Sequence, residues 1–216
     1  MTINILTIFP EFFEKSLNTS ILKRAQEKNL VKFNVVNIRD FATDKHRTTD
    51  DRPFGGEPGM VMKIEPIYRA LQLINQSTNK LINQSTILTS AKGKLFDQPK
   101  AIDYAKLDNL TIICGHYEGV DERIAENLVD EEIRIGDYVL SGGEAAALVV
   151  SDAVTRLIPG VLGNEESNQE ESHSAEIKFS HPVYTRPEKF LDWIVPQVLL
   201  SGDHAKIKAW QAQHRS

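Results

Sequence analysis

The sequence predicts an α/β protein built on a parallel sheet. Short β-rich runs alternate with stretches of helical period, and a β–α–β pattern is complete within the first forty residues. Three apolar runs end in polar or glycine-rich turns, at Thr89-Ser90, at Gly115 and along Ile135 to Leu140. Ligands of open α/β sheets sit at the carboxyl ends of strands, so all three turns are expected to line one pocket. A chain of 216 residues with 41% hydrophobic and 25% charged residues can bury the core that such a sheet needs.

Thr2 to Phe9 is β-rich and stops at Pro10, a residue suited to the first position of a helix. Glu11 to Lys28 carries apolar residues at Phe12, Phe13, Leu17, Ile21, Leu22 and Ala25, which predicts one helix, and Val31 to Ile38 reads as the next strand. Arg39 to Met60 is long and polar, with glycines and prolines that fix turns, and a loop of that length in a compact domain is either functional or a linker. Ile64 to Leu73 reads as a helix. Leu73-Ile74-Asn75-Gln76-Ser77-Thr78 is then repeated as Leu81-Ile82-Asn83-Gln84-Ser85-Thr86, too short a repeat for a solenoid, and is read as an insertion lengthening a helix-to-strand connection.

Ile87 to Ser90 reads as a strand, Ala91 to Lys94 as a turn and Gln98 to Leu107 as a helix. Leu110 to Cys114 is a buried strand, and Asp121 to Leu128 a short charged helix. In Ile135-Gly136-Asp137-Tyr138-Val139-Leu140-Ser141-Gly142-Gly143-Glu144 an apolar, β-prone run meets paired glycines before a helix reaching Leu157. A strand end, a glycine turn and a helix start present free backbone N–H groups to a nucleotide-like ligand. The spacing is not G-x-G-x-x-G, so the dinucleotide fingerprint is absent and a glycine turn without a ligand stays open. A carboxylate-rich stretch follows, with Glu165, Glu166, Glu170, Glu171 and Glu176, which reads as a solvated linker, and the chain ends in a basic helix reaching Arg215.

The net charge of −5 argues against a protein that coats nucleic acid, but Arg39, Lys45, His46, Arg47 and Arg52 form a local basic cluster. The lone Cys114 lies in an apolar run and reads as a buried structural thiol, in keeping with a reducing cytoplasm. No apolar run approaches a membrane span, and Met1-Thr2-Ile3-Asn4 enters a strand without a basic leader, so no membrane partner is expected.

Asp44 to Met60, Cys114 to Arg123, Ile135 to Glu144, Ile158 to Gly163, Tyr184 to Pro187 and Ser201 to Ala205 occur in an order that resembles the bacterial tRNA (guanine-N1-)-methyltransferases, the TrmD family, over nearly the whole chain. The resemblance implies a SPOUT-class fold with a deep trefoil knot, a knotted domain over residues 1–163, a linker over 164–180 and a small helical tRNA-binding domain over 181–216. It implies S-adenosylmethionine as methyl donor, methylation of N1 of guanosine at position 37 of tRNA, and a homodimer whose active sites are shared between subunits. Family members commonly need Mg2+, although no acidic cluster here has a spacing that assigns a metal site.

Residue by residue, the resemblance implies cofactor contacts from Leu88, Ser90, Gly115, Tyr117, Glu118, Ile135, Gly136, Asp137, Tyr138, Val139, Leu140, Gly142 and Gly143. Asp50, Arg52, Gly55, Gly56 and Gly59 would shape the RNA side, and His46 and Arg47 would hold phosphates. Glu171 stands where the family has an aspartate general base, one methylene longer, and Arg156 matches a catalytic arginine; an i,i+4 ion pair with Asp152 is the alternative for it. His116 stands where the family often has arginine. The family usually continues beyond the position of Ser216, so weak tRNA binding is expected. The alternatives are a SPOUT enzyme acting elsewhere on RNA and a cofactor-binding RNA-binding protein without turnover.

Overall fold

Residues 1–77, 83–162 and 179–215 are described by a computed structural model. The chain divides into two compact units, Met1–Gly163 and Asn164–Ser216. The first holds a five-stranded sheet in the order β2-β1-β6-β5-β7, formed by β1 (Thr2–Thr7), β2 (Lys32–Asn37), β5 (Gln84–Leu95), β6 (Asn109–Cys114) and β7 (Glu131–Arg134). Every neighbouring pair is parallel. The central strands are apolar on both faces, as a doubly covered sheet requires. On one face Ile3, Ile5, Ile112 and Ile133 pack with α1 (Ser20–Glu27), α3 (Gln98–Tyr104) and α5 (Glu144–Thr155). On the other, Leu6, Leu88 and Ile113 pack with α2 (Ile64–Ser77) and α4 (Glu122–Asn127). The parallel α/β architecture read from the sequence is the one observed.

Several boundaries differ from the sequence reading, each for a local reason. The expected helix from Glu11 to Lys28 is a single 3-10 turn, Pro10–Phe12, followed by turns and the shorter α1. Asn18 Nδ2 donates to the Glu14 carbonyl at 2.7 Å and Thr19 Oγ1 to the Lys15 carbonyl at 2.7 Å, so side chains take carbonyls that a helix would use. The long polar segment contains a two-stranded antiparallel ribbon, β3 (Asp50–Asp51) with β4 (Val61–Met62). The supposed turn at Ala91 to Lys94 is instead the far part of β5, which shifts register against β7 between Thr89 and Lys94. Gly93 permits this, because a Cβ there would meet the Ile133 amide nitrogen and lie 2.5 Å from the Glu132 carbonyl carbon.

The duplicated hexapeptide is no mere spacer. Its first copy supplies Leu73 to Ser77 to the end of α2, and Gln84 to Thr86 of the second copy open β5; residues 78–82 lie outside the described part. The run from Ile135 to Leu140 is not a strand: β7 ends at Arg134, where the Arg134 guanidinium bonds Asp137 at 2.9 Å and the Gly93 carbonyl at 2.6 Å.

In the second unit, β8 (Lys189–Phe190) pairs antiparallel with β9 (Trp193–Ile194), followed by α6 (Gln197–Leu200) and α7 (His204–Gln213). Asp203 caps α7, accepting from the Ala205 and Lys206 amides at 3.2 Å each. Trp210 stacks on His214 with ring centres 4.1 Å apart and receives the edge of Tyr184.

Candidate functional site

The carboxyl ends of β5 and β6 and the segment after β7 enclose a cleft of about 490 Å³. Its centre is made by glycines. The Gly143 amide donates to the Gly115 carbonyl at 2.7 Å, joining the start of α5 to the end of β6. A Cβ on Gly143 would meet Thr89 Oγ1 and lie 2.9 Å from Cys114 Cα and 3.0 Å from the Gly115 nitrogen. Thr89 Oγ1 occupies that space because it donates to the Ile113 carbonyl at 3.1 Å and accepts from the Gly115 amide at 3.4 Å. Gly136 lies beneath the Tyr138 ring, where a Cβ would be 2.7 Å from Cζ. Glycine here gives close approach of backbone to backbone and ring, leaving main-chain groups along the wall.

Beside the glycines is a buried polar group. Glu144, the first residue of α5, is 5% exposed, and its Oε1 accepts from Thr7 Oγ1 at 2.7 Å. Its Oε2 stands 3.9 Å from His116 Nδ1. Cys114, at the end of β6, is fully buried; burial pushes its thiol well up and the Glu144 carboxylate adds to the shift, so it is no thiolate nucleophile. This agrees with its reading as a structural thiol.

The opposite wall is charged. Lys92 Nζ lies 2.6 Å from both Glu122 carboxylate oxygens and 3.6 Å from Glu132, and the Glu122 bond raises the lysine's affinity for its proton. Glu118, Glu122 and Glu132 thus face Lys92, Arg134 and His116 around one space, a mixed lining suited to a ligand that carries charges of both signs.

All the residues assigned to the cofactor by resemblance line this cleft except Asp137, which Arg134 engages instead. Thr89, at a strand end expected at the pocket, lines it too, and so do Lys92, Glu122, Glu132 and Arg134, which were missed. Only the polar strand end Thr89-Ser90 pointed to any of them. Lys92 was hidden because its strand was taken for a turn.

None of the expected RNA-side residues lines the cleft, but the ribbon that carries several of them is joined to its rim. Met62 of the β3–β4 ribbon donates its amide to the Gly119 carbonyl at 3.0 Å and accepts from the Asp121 amide at 2.9 Å; Glu118 donates its own to Met60 at 3.1 Å. A Cβ on Gly59 would lie 2.5 Å from Glu118 Cγ. Asp50 begins the ribbon, and at its tip Arg52 is exposed and the Phe54 ring fully so, beside Gly55 and Gly56 at φ of +94° and +81°. Arg47 pairs with Asp40 at 3.0 Å, and His46 is exposed in a turn built on Asp44. Hydrogen bonds led by that from the Thr48 side chain hold the Asp44 carboxyl below its ordinary range. Arg156 follows the end of α5, its amide bonded to the Asp152 carbonyl at 3.1 Å, and does not line the cleft. Glu171 lies outside the described residues. Among those described, no three His, Cys, Asp or Glu side chains are grouped to hold a metal, and no helix is long and apolar enough to cross a membrane.

A family model described as tRNA (Guanine-1)-methyltransferase TrmD matches residues 1–216. The chain belongs to the TrmD family. Among its relatives, a tRNA (guanine-N(1)-)-methyltransferase of Carboxydothermus hydrogenoformans is 53% identical over 211 residues, covering 98% of this chain and 81% of the relative. A TrmD-family protein of the same description from Dehalococcoides mccartyi is 52% identical over 213 residues, covering 98% and 84%. Another from Staphylococcus carnosus is 50% identical over 215 residues, covering 100% and 86%.

Proposed function

We propose that this protein transfers the methyl group of S-adenosylmethionine to N1 of guanosine at position 37 of tRNA. The observation that carries the reading is the convergence, in a single cleft, of the residues from Leu88 to Gly143 that family resemblance assigns to the donor. The cleft suits that ligand: its volume accommodates a nucleoside, its glycine-lined wall leaves main-chain groups for an adenine, and three carboxylates favour a sulfonium cation. The donor supplies an electrophilic methyl carbon. The protein's own part is to align that carbon with N1, remove the N1 proton and stabilise charge spreading to O6. The new N1–C bond forms as the C–S bond breaks, the sulfur keeps the electron pair, and the proton passes to Glu171. Arg156 supports the guanine or the base.

The RNA side is the ribbon with Asp50, Arg52, Gly55, Gly56 and Gly59, with His46 and Arg47 near phosphates; the bare ring of Phe54 offers a stacking face for an unpaired base. In this reading residues 1–163 hold the donor, 164–180 link and 181–216 add tRNA contacts. The family resemblance implies a trefoil knot, and the bond between Gly143 and Gly115 ties the segment after β7 to the end of β6, two strands away in the sheet. Exposed Tyr138, Val139 and Val149 support a homodimer, which the family resemblance implies has shared sites and works in the cytoplasm. The deciding assay incubates the protein with donor and tRNA transcripts carrying guanosine or adenosine at position 37, then locates the methyl group by mass spectrometry. Methyl-1-guanosine from the first transcript alone is expected; methylation of both, or of neither, overturns the reading.

A further inference from the structure

His116 sits at the junction of the three segments that enclose the cleft. It is paired antiparallel with Gly142 across a bridge, and Phe9 and Tyr117 meet its ring edge-to-face at 5.0 and 4.8 Å. These contacts fix the plane of the imidazole and aim Nδ1 inward. That nitrogen is buried and has no hydrogen-bond partner, while the buried Glu144 Oε2 waits 3.9 Å away. A buried polar atom left without a partner costs free energy, and Nδ1 is such an atom. Gly142 is wedged against both groups: a Cβ on it would strike Glu144 Oε2 and His116 Nδ1 alike.

Nδ1 is satisfied by a small closing movement where Gly142 meets His116 and Glu144, which takes up the 3.9 Å gap and draws Nδ1–H onto Oε2. Such catalytic-site bonds are commonly long without ligand and tighten when it binds. We infer that His116 is a positioning residue whose bond to Glu144 latches the Leu140–Gly143 segment over the methyl donor. Thr7 holds Glu144 from the other side at 2.7 Å, so the latch is referred to the rigid sheet rather than to another loop. The inference rests on the cleft being the donor site.

His116→Phe keeps the ring and its edge contacts but cannot donate, whereas His116→Arg restores an N–H that can reach Oε2. Titration calorimetry with S-adenosylmethionine is expected to show affinity weakened about tenfold or more in the phenylalanine variant, the scale of one hydrogen bond to a charged group. The arginine variant is expected to recover most of it, and the donor KM of the phenylalanine variant to rise more than its kcat falls. Imidazole nitrogen resonances of the unaltered protein give an independent reading: on adding donor, Nδ1 of His116 should take the protonated, hydrogen-bonded position. Equal donor affinity in the phenylalanine variant, or an unmoved Nδ1 resonance, overturns the latch. Absence of donor binding in the unaltered protein overturns instead the assignment of the cleft.

Discussion

A methyl group at Gly143 has nowhere to go: the Thr89 hydroxyl and the backbone of Cys114 and Gly115 already fill the space. Neither is the far end of a flexible side chain, so relief requires moving β5 or β6. Gly143→Ala is expected to lower stability by about 1–3 kcal/mol, the range for overpacking a filled interior, and to weaken donor binding. Urea unfolding and donor titration of the same preparation check both, and an unchanged unfolding midpoint would refute the packing argument. At this scale the sequence was informative wherever backbone chemistry is written into residue type. Paired glycines after an apolar run pointed to the cleft that they line, although their spacing matched no phosphate-binding fingerprint. Charged lining residues were illegible, because Lys92, Glu122 and Glu132 meet only through the parallel register of separate elements.

One tie between elements joins α3 to the start of β7. Glu131 accepts from Lys100 Nζ and from Tyr104 Oη, each at 2.6 Å. Burial pushes the Glu131 carboxyl up, but the two donors outweigh it and hold the group below its ordinary value of 4.5. The folded state therefore gains stability from Glu131 above pH 4.5, and loses it as pH falls through the lower folded value. Tyr104 has the opposite sign: burial and then Glu131 raise it far above 10.0, so its contribution is full below pH 10.0 and fades above. Glu131→Gln is expected to cost about 1–2 kcal/mol at neutral pH and to flatten the acid limb. Denaturant midpoints at neutral pH and near pH 3 measure it; a parallel downward shift at both would refute the linkage. Of these two elements α3 was legible in the sequence, whereas β7 was not, its strand being expected from Ile135 onward, and the two states of Leu-Ile-Asn-Gln-Ser-Thr were not legible either. Its copies fall in a helix and at a strand because α2 and β5 bury different neighbours, and six residues of middling propensity cannot resist that context.

For the whole molecule, a site shared between subunits makes a sharp demand. Glu171→Ala is expected to abolish turnover while leaving donor binding intact, and Gly143→Ala to lose turnover through weakened donor binding while keeping its base. If each site draws its base from one subunit and its donor cleft from the other, mixing the two inactive proteins under exchange conditions restores methylation. A mixture as inactive as its parts would place base and cleft on one chain. Connectivity of this kind could not be read from periodicity, which places strands but not the path between them. That path also has a temporal consequence. The bond between Thr7 and Glu144 spans 137 residues, and the Gly143–Gly115 bond needs β5, β6 and β7 already in place. Contacts so distant along the chain bear the largest loop-closure entropy and form late. In pulse-labelled refolding the Gly143 amide should gain protection after that of Ile112, with earlier protection excluding this order. The protein would then acquire its sheet before it acquires a place for its ligand, and a newly made chain would pass through a stage that is folded yet unable to bind.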